Sequence, residues 1–146
     1  MSWTSLQSQG LVVPHTTSKA ELDDLRAALK RNLEDAALDE LSDDNRFGIA
    51  YQAALLAAKM AIACAGYRVK GTGAHHTTFE ALKLALGSGV KKTADYLDRC
   101  RRKRNIIEYD SQGVVTSTDV DEILKQASAL SRDVETWISK NYPTLV

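Results

Sequence analysis

Between Phe47 and Ala65 the chain sets down apolar side chains almost without interruption, and most of them are small. Phe47, Ala50, Tyr51, Ala54, Leu55, Ala58, Ala61, Ile62 and Ala65 recur at helical spacing. A helix of this composition has too little polar surface to lie on the outside of a domain. Its alanines let neighbouring helices approach closely, which suits the centre of a bundle, and Gly66 is a suitable stop. The longest apolar run, Ala53 to Ala65, is broken by Lys59 and reads as too short for the roughly 20 apolar residues that cross a bilayer.

Such a helix needs others to cover it, and the rest of the chain supplies them. One opens at Ser18-Lys19-Ala20-Glu21, a capping-box pattern, and carries Leu22, Leu25, Leu29 and Leu33 at helical spacing. It fades near Leu41, and the alanine-rich helix starts at Ser42 or Asp43. After the loop YRVKGTGAHH, Thr77-Thr78-Phe79-Glu80 reads as a second capping box, for a helix ending at Gly87. The next runs from about Val90 to Tyr109. The last opens near Thr118 and Asp119, with Val120, Ile123, Leu124, Ala127, Leu130, Val134, Trp137 and Ile138 on one face, and is closed by Asn141 and Pro143.

No segment alternates convincingly as a strand. The expectation is therefore an all-α fold: an antiparallel up-and-down four-helix bundle with an additional helix, over residues 18–142. Residues 1–17 are expected to form an extended lead-in and 143–146 a short tail. Short connections make consecutive helices antiparallel. On that geometry the end of the alanine-rich helix, the start of the next, the end of the Val90–Tyr109 helix and the start of the last all meet at one end.

A chain of 146 residues can bury a core without covalent staples. Nineteen basic and nineteen acidic side chains cancel, so anion binding must come from a local patch rather than a whole-molecule field. Cys64 and Cys100 sit in apolar helical patterns and read as buried, reduced thiols. No paired Cys/His spacing suggests a structural zinc, and neither a metal nor a cofactor is called for. The N-terminus lacks a basic leader and a signal-length apolar core, so a soluble, cytoplasmic protein without membrane partners is expected.

One residue breaks the pattern. The stripe of the fourth helix passes through Val90, Ala94, Leu97 and Cys100 and resumes at Ile107, and between them it lands on Arg104. A buried, unpaired guanidinium is prohibitively costly, so Arg104 must meet an acid, a wet cleft or a ligand. Arg101, Asn105 and Tyr109 follow on an adjoining face. Arg99, Arg102 and Lys103 read as a solvated face that offsets the negative helix end. His75 and His76, with Arg68 and Lys70 from the same loop, form a candidate phosphate or nucleotide rim before the next helix. Gly71-Thr72-Gly73 lacks the Gly-Lys-Ser/Thr ending of a Walker loop.

With the segments AYQAALLAAKMAIACAGYRV, HHTTFEAL and DYLDRCRRKRNIIEYD, the chain resembles a HEPN domain (higher eukaryotes and prokaryotes nucleotide-binding) over roughly residues 18–140. That resemblance implies frequent homodimers whose fourth helices face each other across a cleft. Many members are RNases, often toxins, and they commonly work beside a nucleotidyltransferase. They use an arginine followed, four to six residues on, by histidine. Arg104 and Asn105 match the first half, but Tyr109 stands where the histidine is expected. Tyrosine, with a pKa of about 10, is a poor base near neutral pH but can still donate a hydrogen bond. The implied function is a nucleotide- or RNA-phosphate-binding module, in a nucleotidyltransferase-associated or toxin–antitoxin setting, using Arg104, Asn105, Tyr109 and Arg101. The alternatives are a metal-independent RNase with Tyr109 in the histidine's place, and a structural or protein-interaction bundle in which Arg104 pairs across the dimer with an acid such as Asp110 or Glu108.

Overall fold

The computed structural model describes residues 1–71, 73–109 and 114–146, and the side chains of all of these except 107–109. Five long helices build it: α2 (Lys19–Ala36), α3 (Asp43–Cys64), α4 (Ala74–Leu86), α5 (Lys91–Tyr109) and α6 (Ser117–Asn141). They are joined by a short α1 (Trp3–Ser8) and by two short strands, β1 (Val12–Pro14) and β2 (Tyr67–Val69). The strands pair antiparallel, with Val12 opposite Val69 and Pro14 opposite Tyr67. The all-α bundle expected from the helical periodicity is the fold of this chain.

The alanine-rich helix is α3, and it touches α2, α4, α5, α6 and β2. Its buried residues include runs of neighbours, Ala53 to Leu55 and Met60 to Cys64, so protein surrounds it rather than covering one stripe. Taken whole, α3 is long and apolar enough to cross a bilayer, more so than the run from Ala53 to Ala65 suggested. Most of that apolar stretch is buried inside the fold, as in a core helix.

The first 17 residues are not an extended lead-in. Ser2 caps α1 by accepting the Ser5 amide at 3.1 Å, and Leu6 and Val12 bury with Ile62 and Ala81. Trp3 stacks flat on Tyr67, with centroids 4.4 Å apart. Three-residue strands are too short to show alternation, so tertiary pairing alone reveals them. The tail is docked as well. Arg26 Nη2 donates to the Leu145 carbonyl at 2.9 Å, while Nε reaches Glu135 and Nη1 reaches Asp23, both at 2.8 Å.

The strand pair changes which helix ends meet. His75 and Phe79, in the first turns of α4, both pack against Tyr51 near the start of α3. Ala81 and Leu84, later in α4, join the cluster around Ile62 near the end of α3. Thus α4 runs alongside α3 in the same direction, because β2 carries the chain back first. The first turn of α4, the last turns of α5 and the start of α6 do come together, but beside the beginning of α3 and not its end.

Two caps also differ from expectation. Ser18 Oγ accepts the Glu21 amide at 3.1 Å, but the Glu21 carboxylate turns away to His15 and Thr17. Gly73, at φ +75°, turns the chain into α4 one turn before Thr77. Thr77 and Thr78 instead donate back to the carbonyls of Gly73 and Ala74. The true capping box belongs to α6, between Thr116 and Asp119. Cys64 and Cys100 are free and buried, and burial pushes both thiols up to about 11.

Arg26 ties α2 to α6 and to the C-terminal turn, and its side chain is only about one-fifth exposed. Arg26→Ala is expected to cost about 1–2 kcal/mol, since its partners are charged but partly solvated. Chemical denaturation of the two proteins side by side measures that difference.

Candidate functional site

Tyr51 is the only hydroxyl-bearing residue of α3, and its ring is completely buried. A buried phenol needs a hydrogen-bond partner. The early start of α4 provides one, since His75 Nδ1 lies 3.3 Å from the Tyr51 oxygen. Burial pushes the Tyr51 phenol well above its ordinary value, with Arg104 and Arg101 partly opposing the rise. The hydroxyl therefore keeps its proton, and it pairs with Nδ1 either by donating to a bare nitrogen or by accepting from an Nδ1–H; the second arrangement leaves Nε2 as the acceptor of the ring.

On the face of the same ring lies Arg104. Its guanidinium carbon is 5.3 Å from the Tyr51 centroid, within cation–π range. Here is the answer to a charge falling on an apolar stripe. Val90, Ala94, Leu97 and Cys100 are buried as that stripe requires. Arg104 is half-buried, with its planar group laid on an aromatic face and its edge turned to a cavity. That cavity, of about 300 Å³, lies between α2, α3 and α5. Beside Arg104 it is lined by Asn32, Asp44, Asn45 and Gln52, and by the exposed backbone side of Gly48. Guanidinium, carboxylate and three carboxamides give it donors and acceptors in about equal measure.

A second polar group adjoins the first. Asp98 Oδ1 accepts from Arg101 Nε at 2.9 Å and lies 3.1 Å from His76 Nδ1. Burial pushes the Asp98 carboxyl upward, but the bonds from Arg101 and His76 outweigh it and hold the group below its ordinary value. Lys103 reaches across to Asp119 at 2.8 Å, joining α5 to α6. Arg99 and Arg102 are exposed, as a solvated face requires.

The structure thus brings together Arg104, Arg101, His75 and His76. Both histidines lie within the first turn of α4 rather than in the loop before it. Asn105 is exposed one step further along α5. The backbone of Tyr109 belongs to α5, whereas its side chain, that of Glu108 and the whole of Asp110 lie outside the described residues. Arg68 and Lys70 do not join the rim. Pairing of β2 with β1 takes Arg68 to a different pocket, beside His15 and Glu21. Lys70 is held over the Gly10–Leu11 turn, its amide donating to the Leu11 carbonyl.

Tyr51, Asp98 and the cavity residues Asp44, Asn45 and Gln52 were not singled out in the sequence as site residues. The signal for Tyr51 was its lone hydroxyl in a field of alanines. No protein-family model, curated protein or solved structure matches this chain.

Asp98 gives the site a pH signature. Its carboxyl is depressed in the folded state, so its contribution is complete above the ordinary value of 3.8 and is lost as pH falls through the lower folded value. Thermal melts across that acid range are expected to show a loss of stability in the native protein that is smaller in Asp98→Asn. Identical acid profiles for the two would refute the assignment.

Proposed function

We propose that this chain is a HEPN-like module that binds nucleotide or RNA phosphates, without cutting or with weak cutting, and that it works as a homodimer. One observation carries the reading: the Arg104 guanidinium, braced on the Tyr51 ring, borders a cavity of about 300 Å³ whose lining mixes polar side chains with Ile49. A cation held flat against an aromatic ring keeps its donors pre-organised for an anionic oxygen, at little further entropic cost. The carboxamides of Asn32, Asn45 and Gln52 suit the edges of a base or the hydroxyls of a ribose. Arg99, Arg101 and Arg102 extend positive charge along α5 in a molecule with no net charge. In the homodimer, the α5 helices of two copies would form the walls of the cleft. A nucleotidyltransferase is the proposed protein partner, in a cytoplasmic toxin–antitoxin setting.

A specific contact favours a second reading, a metal-independent RNase. The imidazole missing at position 109 has a counterpart in His75, which stands against the same phenol as Arg104. With its proton on Nδ1 and shared with the phenol, a neutral His75 leaves Nε2 to take the proton from a ribose 2′-hydroxyl while the guanidinium stabilises charge on the phosphate.

Two measurements separate these readings. Arg104→Ala is expected to weaken binding of a labelled oligouridylate by about tenfold, about 1.4 kcal/mol, with the helical circular dichroism unchanged. Undiminished affinity refutes the binding site. Incubation of the native protein with RNA in EDTA is expected to leave the RNA intact or nearly so. Cleavage that His75→Ala abolishes moves the protein to the second reading. Sedimentation at micromolar concentration is expected to give a dimer.

A further inference from the structure

We infer a second ligand site at the other end of α3, one that takes a small organic carboxylate with an apolar body. The site is a cavity of about 370 Å³ enclosed by α2, α3 and β2. Its volume falls in the range of pockets that hold small molecules. Leu25, Ile62, Ala63 and Val69 make its wall, and Tyr67 closes one side.

The charges around it select the head group. Lys59 and Arg68 both border the cavity and both are exposed. Among the described residues neither is engaged in an ion pair. Lys59 is also the only charged residue in α3 beyond Gln52, placed among alanines at the very point where the helix faces this cavity. The one acid bordering the cavity, Glu21, already has partners. A single oxygen of its carboxylate takes His15 Nε2 at 2.7 Å and Thr17 Oγ1 at 2.9 Å. The His15 contact, then Thr17, with a smaller contribution from the charge of Arg68, holds that carboxyl below its ordinary value. Two cations, Lys59 and Arg68, thus border the cavity against one carboxylate, Glu21, which also feels the charge of Arg68. An apolar wall beneath this excess of positive charge is complementary to an amphiphilic anion. A neutral alcohol would meet only the wall, and a bare inorganic anion only the cations.

The molecule contains its own reporter. Tyr67 borders the cavity on one side and stacks against Trp3 on the other, 4.4 Å between centroids. A ligand that shifts Tyr67 changes the surroundings of Trp3.

Octanoate is the probe, with octanol and inorganic phosphate as the half-ligands, titrated into the full chain by calorimetry and by tryptophan fluorescence. Octanoate is expected to bind with one-to-one stoichiometry and to change the fluorescence, and Trp3→Phe is expected to remove the change. Octanol and phosphate are each expected to bind at least about tenfold more weakly. The double substitution Lys59→Gln, Arg68→Gln, at two exposed positions that leave the core intact, is expected to bring octanoate down to the level of octanol. Arg104→Ala is expected to leave octanoate binding unchanged, which separates this site from the one near the start of α3. Three results would each overturn the inference: no octanoate binding at millimolar concentration, equal binding of octanol, or full affinity in the double variant.

Discussion

Everything in this fold follows from the need to cover α3 on all sides. Seven of its thirteen buried side chains are methyl groups, which gain little individually from burial but allow helices to pack at short range. A helix so short of polar surface cannot sit at an edge, and α2, α4, α5 and α6 each contact it. Even the first strand and the short α1 serve this purpose, through the contacts of Leu6 and Val12 with Ile62.

Against that background, each polar atom that touches α3 has to be accounted for. Tyr51 brings a hydroxyl into the interior, and His75 answers it. Its ring then offers a π face to a guanidinium that would otherwise lie on an apolar stripe. One buried aromatic residue thereby gathers side chains from α4 and α5 near the start of α3. Toward the far end of the same helix, Lys59 stands with Arg68 from β2 around a different cavity. The two polar regions are separated because the β1–β2 pair takes the loop after α3 away from Tyr51, and only the following helix brings the chain back.

The arginine on the apolar stripe was legible in the sequence, since a periodic pattern exposes any residue that violates it. The same holds for the burial of Val90, Ala94, Leu97 and Cys100. Less was legible where the deciding partner is remote in sequence. Glu21 had the spacing to complete a capping box with Ser18, yet His15, brought close by β1, competes for its carboxylate. The Thr77–Glu80 pattern failed as a helix start because Gly73 turns the chain earlier, and Glu80 pairs with Lys83 instead. Arg68 and His75 lie seven residues apart, but a strand that pairs with the N-terminal segment comes between them.

By itself, then, the sequence determined that the chain is helical, where its core helix lies, and that Arg104 needs an acid, a wet cleft or a ligand. Those facts depend on periodicity and on the cost of burying charge, both of which act within a few turns of chain. Tertiary structure alone decided that Arg104 also lies on the Tyr51 ring, that α4 runs parallel to α3, and that Lys59 and Arg68 share a cavity. These depend on contacts between segments far apart in the chain, whose energies no local pattern records.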